Sequence, residues 1–487
     1  MLTAATSPPL QVQPAPRAEA MRIAGERVHA PRTLDVLNPY TNAVVGTVPR
    51  ASVDDVRRAF AIARAYKPRL TRFERYEICR RASDLIRSRA TELSALITAE
   101  CGICVKDSLY EVGRACDVFT FAGHAALQDD GQVFSCDLTP HGKSRKVYTL
   151  REPLLGVISA ITPFNHPLNQ VAHKIAPSIA TNNRMVLKPT EKTPLSALVL
   201  ADILYEAGLP PPMLSIVTGD PREIADEMLV NPDVDLVTFT GGVAVGKYIA
   251  GKAVYKRQVL ELGGNDPIIV MEDADLDEAA TLAAVGSYKN SGQRCTAVKR
   301  MLVHERVADA FVERLVARTR AWTYGDPADP KVDMGTVIDE AAAVSFQSKV
   351  RAAIDQGASL LAGNLRDGAL YSPTVLDHVT PDMDVVRTET FGPVSPVIRI
   401  QDIDDAIRVS NGTAYGLSSS VCTNRLDYIT RFVSELQVGT VNVREVPGYR
   451  LELTPFGGIK DSGLGYKEGV QEAMKGFTNV KTYSLPW

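Results

Sequence analysis

The sequence predicts an α/β protein of at least two domains, with parallel sheets joined by crossover helices. Three observations carry that prediction. At 487 residues the chain exceeds the size at which a single hydrophobic core keeps growing. From residue 150 onward, short apolar runs alternate with helical segments, the pattern of strands linked through helices. A second series of the same kind begins after Glu261.

Taken in order, residues 1–20 hold Pro8, Pro9, Pro14 and Pro16 and lack an apolar signal core, so a flexible arm is expected there. Ser52-Val53-Asp54-Asp55 has the form of a helix start with a capping carboxylate. Thr71-Arg72-Phe73-Glu74 repeats it before an amphipathic run toward residue 100, so the first quarter is expected to be mainly helical. Cys101-Gly102-Ile103-Cys104 has the spacing of a redox pair, but it follows a helical pattern instead of opening a helix after a strand, so core thiols are expected. Strands are predicted at 154–161, 185–187, 214–217 and 236–239. The helix at 194–207 has Thr193 to cap it, Pro194 in its first turn and Gly208 at its stop. Beyond Glu261, residues 267–271 form an early strand and 308–320 and 341–356 form helices. Segments 138–151 and 477–485 are β-prone edges that need covering.

Composition sets the function classes. With 45% hydrophobic and 23% charged residues, the chain has the make-up of an ordinary globular protein. The balance of 54 basic against 57 acidic residues gives a net charge of −3, which offers no general attraction to nucleic acid or to an anionic membrane. No apolar run approaches the roughly 20 residues that span a bilayer. The seven cysteines (79, 101, 104, 116, 136, 295 and 422) lack paired metal-type spacing, so no metal site is expected, and reduced thiols in a cytoplasmic protein are.

Two segments carry chemistry. Cys295 lies in Asn290-Ser291-Gly292-Gln293-Arg294-Cys295-Thr296, and Glu261 opens Glu261-Leu262-Gly263-Gly264-Asn265, 34 residues earlier. A thiol attacks a carbonyl readily, but releasing the resulting thioester needs a base-activated water, so a Cys with a Glu implies covalent aldehyde chemistry. The polar setting and adjacent Arg294 are expected to favour the thiolate. Gly241-Gly242-Val243-Ala244-Val245-Gly246 follows a predicted strand and opens a helix, a context that lets backbone amides approach phosphates. Lys188-Pro189-Thr190-Glu191 ends another strand, where Lys188 and Glu191 can bond ribose hydroxyls. Glu191 would repel a 2′-phosphate, so NAD is expected in preference to NADP.

Glu-Leu-Gly-Gly followed at that distance by Gly-Gln-Arg-Cys resembles the catalytic signatures of the aldehyde dehydrogenase superfamily, and the resemblance runs from about residue 35 to the C-terminus. It implies two Rossmann-like α/β domains plus a small bridging β-hairpin. The NAD-binding domain would comprise 21–137 and 152–260, the catalytic domain 261–471, and the bridging strands 138–151 and 472–487. In the family such strands pair with a neighbouring subunit, so a homodimer or homotetramer is implied. Within Thr162-Pro163-Phe164-Asn165-His166-Pro167 the resemblance makes Asn165 the oxyanion donor, with Cys295 as nucleophile, Glu261 as base and Lys174 as support for the network around the cofactor. Thr162, Phe164, Leu262, Glu389 and Phe391 join Lys188, Glu191, Gly241, Gly242 and Gly246 on the cofactor side.

Arg114, His166, Arg294, Thr296 and Arg450 fall where the family lines its substrate tunnel. Three arginines and a histidine would suit a dianionic phosphoryl head, since guanidinium binds phosphate oxygens bidentately. Family members that oxidise phosphonoacetaldehyde resemble this chain most closely, at Asn165-His166, 261–266, 292–300 and 449–465. The expected reaction is therefore NAD-dependent oxidation of phosphonoacetaldehyde to phosphonoacetate in 2-aminoethylphosphonate breakdown. The alternative is another small anionic or hydroxylated aldehyde: glyceraldehyde 3-phosphate, lactaldehyde or succinate semialdehyde.

Overall fold

A computed structural model describes residues 16–129, 131–465 and 468–486. Two seven-stranded sheets dominate it. The first runs in the order Arg257–Glu261, Val234–Thr240, Val157–Ile161, Met185–Lys188, Leu214–Ile216, Met21–Ile23, Glu26–Val28, with the first five strands parallel. The second runs Ser359–Ala362, Thr374–Asp377, Val394–Ile400, Arg300–His304, Pro267–Val270, Ser418–Cys422, Thr440–Val443, and is parallel apart from its first pair.

The central strands of each sheet are covered on both faces, which is why Val157–Ile161, Met185–Lys188 and Pro267–Val270 are mainly apolar instead of alternating. In the first sheet Ile158, Leu187 and Leu236 join one apolar cluster, while Val157, Val186 and Val237 join another. In the second sheet Ile269, Leu302 and Ile398 face one cluster, and Ile268, Met301 and Val397 face the other.

Both predicted capping boxes form, Ser52 with Asp55 at Val53–Ala65 and Thr71 with Glu74 at Arg72–Ser88. The run toward residue 100 is two helices, broken at Arg89. The first quarter is less helical than expected, because five short strands precede residue 50. Of these, Met21–Ile23 and Glu26–Val28 extend the first sheet as a hairpin. Buried Arg22 anchors it, pairing with Asp202 at 2.6 Å and Glu19 at 2.9 Å. The expected arm lies outside the described residues up to position 15; beyond it Arg17–Ala18 pairs with Val44–Pro49 and Ala20 is buried.

The helix Leu195–Glu206 is capped differently from expectation. Thr193 does not cap it; buried Glu100 accepts from the amides of Leu195 (2.8 Å) and Ser196 (2.9 Å). Residues 146–151 of the predicted segment 138–151, and nearly all of 477–485, fall in a separate three-stranded sheet, Thr478–Leu485, Lys146–Pro153, Val133–Ser135; residues 138–145 lie instead in the connection between its last two strands. Cys101 and Cys104 are buried and free. No helix among the described residues is long and apolar enough to cross a membrane.

Candidate active site

Asn165, Lys188, Gly241 and Glu261 all lie at or just beyond the C-terminal ends of strands in the first sheet. In that sheet the chain departs from Val157–Ile161 to opposite sides, toward Met185–Lys188 and later toward Val234–Thr240. Such a switch in strand order opens a crevice at the C-terminal edge. Cys295 and Glu389 approach from the second sheet, on the loops that enter Arg300–His304 and Val394–Ile400.

The Cys295 loop holds an unusual backbone. Asn290 (φ 59°), Ser291 (φ 55°) and Gly292 (φ 70°) are all left-handed, and a Cβ on Gly292 would fall 2.4 Å from the Gly392 backbone. The loop is pinned by groups from the other half of the chain. Asp107 accepts from the Asn290 amide at 2.6 Å, and the Asn290 side chain donates to the Asn165 carbonyl at 3.0 Å. The Asn165 side chain in turn donates to the Gln293 carbonyl at 2.8 Å. Asn165 is thereby buried against the segment that leads to Cys295.

Cys295 is partly exposed, but burial dominates its chemistry and pushes the thiol up to about 11. Lys299 and Arg450 act against that shift. The effect expected from Arg294 is not realised by contact, because its guanidinium donates to the carbonyls of Val285 (3.3 Å) and Gly286 (2.6 Å) near the end of the helix Leu276–Tyr288. Glu261 is buried at the end of its strand.

On the predicted cofactor side, Gly242 begins the helix Val243–Ala253 with no side-chain cap, and a Cβ there would meet nothing within 4 Å. A Cβ on Gly246 would lie 2.4 Å from the Leu262 side chain, so helix and turn are in close contact. Gly241 donates its amide to the Glu261 carbonyl at 3.0 Å. Lys188 is buried, which lowers its pKa, and pairs with Glu191 at 3.8 Å. Thr162 is buried, and Phe164 meets Phe391 edge-on at 5.9 Å, joining the two segments that carry them. Glu389 accepts from Lys299 at 2.8 Å and from the Gly264 amide at 3.1 Å.

Of the residues predicted to line the substrate tunnel, Arg114, His166 and Arg450 gather around two carboxylates that sequence reasoning missed. Buried Glu452 receives Arg114, His173 at 2.5 Å and Arg450 at 3.9 Å, and its carboxyl lies far below the usual range: burial opposes this, but His173 and the arginines outweigh it. Buried Glu111 lies 3.4 Å from the His166 ring and caps the helix Asn169–Ala180 through the amides of Leu168 and Asn169. Asp107, Glu111 and Arg114 fall at i, i+4 and i+7 on the helix Val105–Ala126, one polar stripe facing the site. That spacing was the available signal. Arg450 also lies over the Phe456 ring at 3.8 Å and borders a cavity of about 320 Å³. Thr296 is buried beneath Gly448, where a Cβ would come 2.4 Å from its hydroxyl. Lys174 is fully buried and ion-paired with Glu468.

Comparison with known proteins accords with this arrangement. A model of the aldehyde dehydrogenase family matches residues 27–483. The chain is 38% identical over 462 residues to the 3-sulfolactaldehyde dehydrogenase of Priestia aryabhattai, an alignment covering 95% of this chain and 96% of that one. The crystal structure of an NAD-dependent aldehyde dehydrogenase from Sinorhizobium meliloti matches with TM-score 0.92 at 36% identity, covering 97% and 95% of the two chains. That of the glyceraldehyde-3-phosphate dehydrogenase GapN from Methanocaldococcus jannaschii, complexed with NADP, matches with TM-score 0.90 at 36% identity, covering 94% and 100%. The chain therefore belongs to the aldehyde dehydrogenase family, oxidoreductases that act on aldehydes with NAD(P).

Proposed function

We propose that this enzyme oxidises phosphonoacetaldehyde to phosphonoacetate with NAD, through a thioester on Cys295. The observation that carries the substrate reading is the convergence of Arg114 and Arg450 on Glu452, beside the Cys295 loop. Arg450 keeps one buried guanidinium nitrogen, Nη1, without a hydrogen-bond partner, a donor suited to an incoming oxyanion.

Cys295 Sγ adds to the aldehyde carbon. The side-chain amide of Asn165 and the backbone amide of Cys295 hold the oxygen that becomes negative, donors typically worth about 3 kcal/mol each. A bound nicotinamide dinucleotide would supply the hydride acceptor that this oxidation to the thioester requires. Glu261 then takes a proton from the water that attacks the thioester carbon, and the carbon–sulfur bond breaks to release the acid.

The residues present fit such a dinucleotide. The uncapped amides at Gly242 and the open space beside it suit a pyrophosphate, Lys188 and Glu191 suit the adenosine ribose, and Glu389 with Phe391 suits the nicotinamide ribose. Thr162, Phe164 and Leu262 would complete that side. Glu191 supports NAD over NADP by charge repulsion. Lys174, paired with Glu468, would support the site from within the core.

The domain division follows: 21–137 with 152–260 would carry the dinucleotide and 261–471 the catalytic thiol, with 138–151 and 472–487 bridging copies. Val480 and Tyr483 are exposed on the edge strand Thr478–Leu485, which supports a homodimer or homotetramer.

A second reading has its own support. Glu452 already offsets one of the two guanidinium charges, which suits a monoanionic or hydroxylated aldehyde, and the relative from P. aryabhattai is a 3-sulfolactaldehyde dehydrogenase. The deciding experiment is an NADH-release screen of phosphonoacetaldehyde, glyceraldehyde 3-phosphate, lactaldehyde and succinate semialdehyde. The highest kcat/KM is expected with phosphonoacetaldehyde, and a tenfold advantage for any of the others would overturn the assignment.

A further inference from the structure

Lys299 has no part in the reaction as proposed above, yet its ammonium occupies a junction. It is almost wholly buried and donates to the carbonyl of Cys295 (2.7 Å), the carbonyl of Gly264 (2.9 Å) and the carboxylate of Glu389 (2.8 Å). Three donors thus meet three acceptors, from the nucleophile loop, the turn after Glu261 and the segment before Val394–Ile400. The packing is tight on every side. A Cβ on Gly264 would fall 2.5 Å from the Cys295 carbonyl, and one on Gly263 would fall 2.2 Å from the Glu389 carboxylate. The ammonium also lies 5.5 Å from the centre of the Phe391 ring.

We propose that Lys299 is a positioning residue that ties the Cys295 nucleophile to the Glu389 cofactor contact, fixing both in one geometry and setting the reactivity of the thiol through its charge. The proposal rests on Cys295 being the nucleophile and Glu389 a cofactor contact. One carboxylate oxygen of Glu389 is engaged by Lys299 and the Gly264 amide, which leaves the other available to a ribose hydroxyl. The charges acting on Cys295 are Lys299, Arg450 and Arg294 on the positive side, and Asp266 and Glu389 on the negative. Lys299 is the strongest of the influences that oppose burial of the thiolate.

The test is the rate of iodoacetamide labelling at Cys295 as a function of pH, read by peptide mass, in the full-length enzyme. Lys299→Gln removes the charge while keeping a donor, and should slow labelling about tenfold at pH 8 and move its midpoint upward, the effect of one nearby unit charge in a partly screened site. Glu389→Gln removes the opposing charge and should move the midpoint downward. Lys299→Arg should restore labelling to within about threefold of wild type, and the dissociation constant for NADH, measured by fluorescence, should rise several-fold in Lys299→Gln but not in Lys299→Arg. A role confined to packing would not shift the two midpoints in opposite directions. Unchanged midpoints in both glutamine variants, or shifts of the same sign, would overturn the proposal; if Lys299→Gln does not fold, the Glu389→Gln profile decides alone. Full turnover after Cys295 is labelled would instead overturn the nucleophile assignment beneath it.

Discussion

Cys295 and Glu261 were legible because each stands in a glycine-containing segment whose chemistry is recognisable from a few residues. Glu452, Glu111 and Lys299 were not, since a lone carboxylate or ammonium in sequence has the form of a solvated surface group, and only the fold shows it buried against partners. Arg294 shows the converse: its place beside Cys295 pointed to the thiol, whereas its contacts go to the end of a helix. At this scale Cys295→Ala should reduce dehydrogenase turnover at least a thousandfold, and substantial residual NADH formation would contradict the nucleophile role. Arg450→Ala should raise KM for phosphonoacetaldehyde tenfold or more while leaving propanal nearly unchanged, and equal effects on both would refute an anion-binding role. Glu452→Ala leaves two guanidiniums without their buried counter-ion, so unfolding in urea should show a loss of about 3–5 kcal/mol.

Among the elements, the helices predicted at 308–320 and 341–356 and the strands predicted at 185–187 and 267–271 fall within a few residues of their observed bounds, because caps and apolar runs are local signals. The hairpin at residues 21–28 escaped notice: its strands are three residues each, and the burial of Arg22 depends on Asp202, 180 residues away. The cap of Leu195–Glu206 was hidden for the same reason, since Glu100 reaches it from another helix. That cap has a pH signature. Burial raises the Glu100 carboxyl to about 7 against 4.5 ordinarily, although three hydrogen bonds from Leu195 and Ser196 oppose the rise. Between those pH values the folded chain holds a proton that the unfolded chain has released, so this group's contribution to stability falls as pH rises from about 4.5 to 7. Glu100→Gln keeps an acceptor and cannot ionise. It should remove a decline of up to about 3 kcal/mol, checked by urea unfolding at pH 5 and pH 7.5; an unaltered slope would show that the carboxyl stays ionised.

Across the whole molecule, the alternation of strands and helices was enough to predict parallel sheets, but not how the two would meet. That arrangement depends on contacts between distant parts of the chain, such as Asp107 with Asn290 and Asn165 with Gln293. The free edge at Thr478–Leu485 predicts self-association, and light scattering should return two or four times the 52.8 kDa chain mass; a stable monomer at micromolar concentration would remove the bridging role. The three left-handed residues before Cys295 have a further consequence. Two of them are not glycine, and such conformations cost on the order of 1–2 kcal/mol each, a cost that must be offset by their surroundings. Those surroundings belong to a helix and a strand end far earlier in the chain. A newly synthesised chain thus brings Cys295 beside Asn165 only after its two halves have docked, so an incomplete or misassembled copy carries the thiol without the site around it.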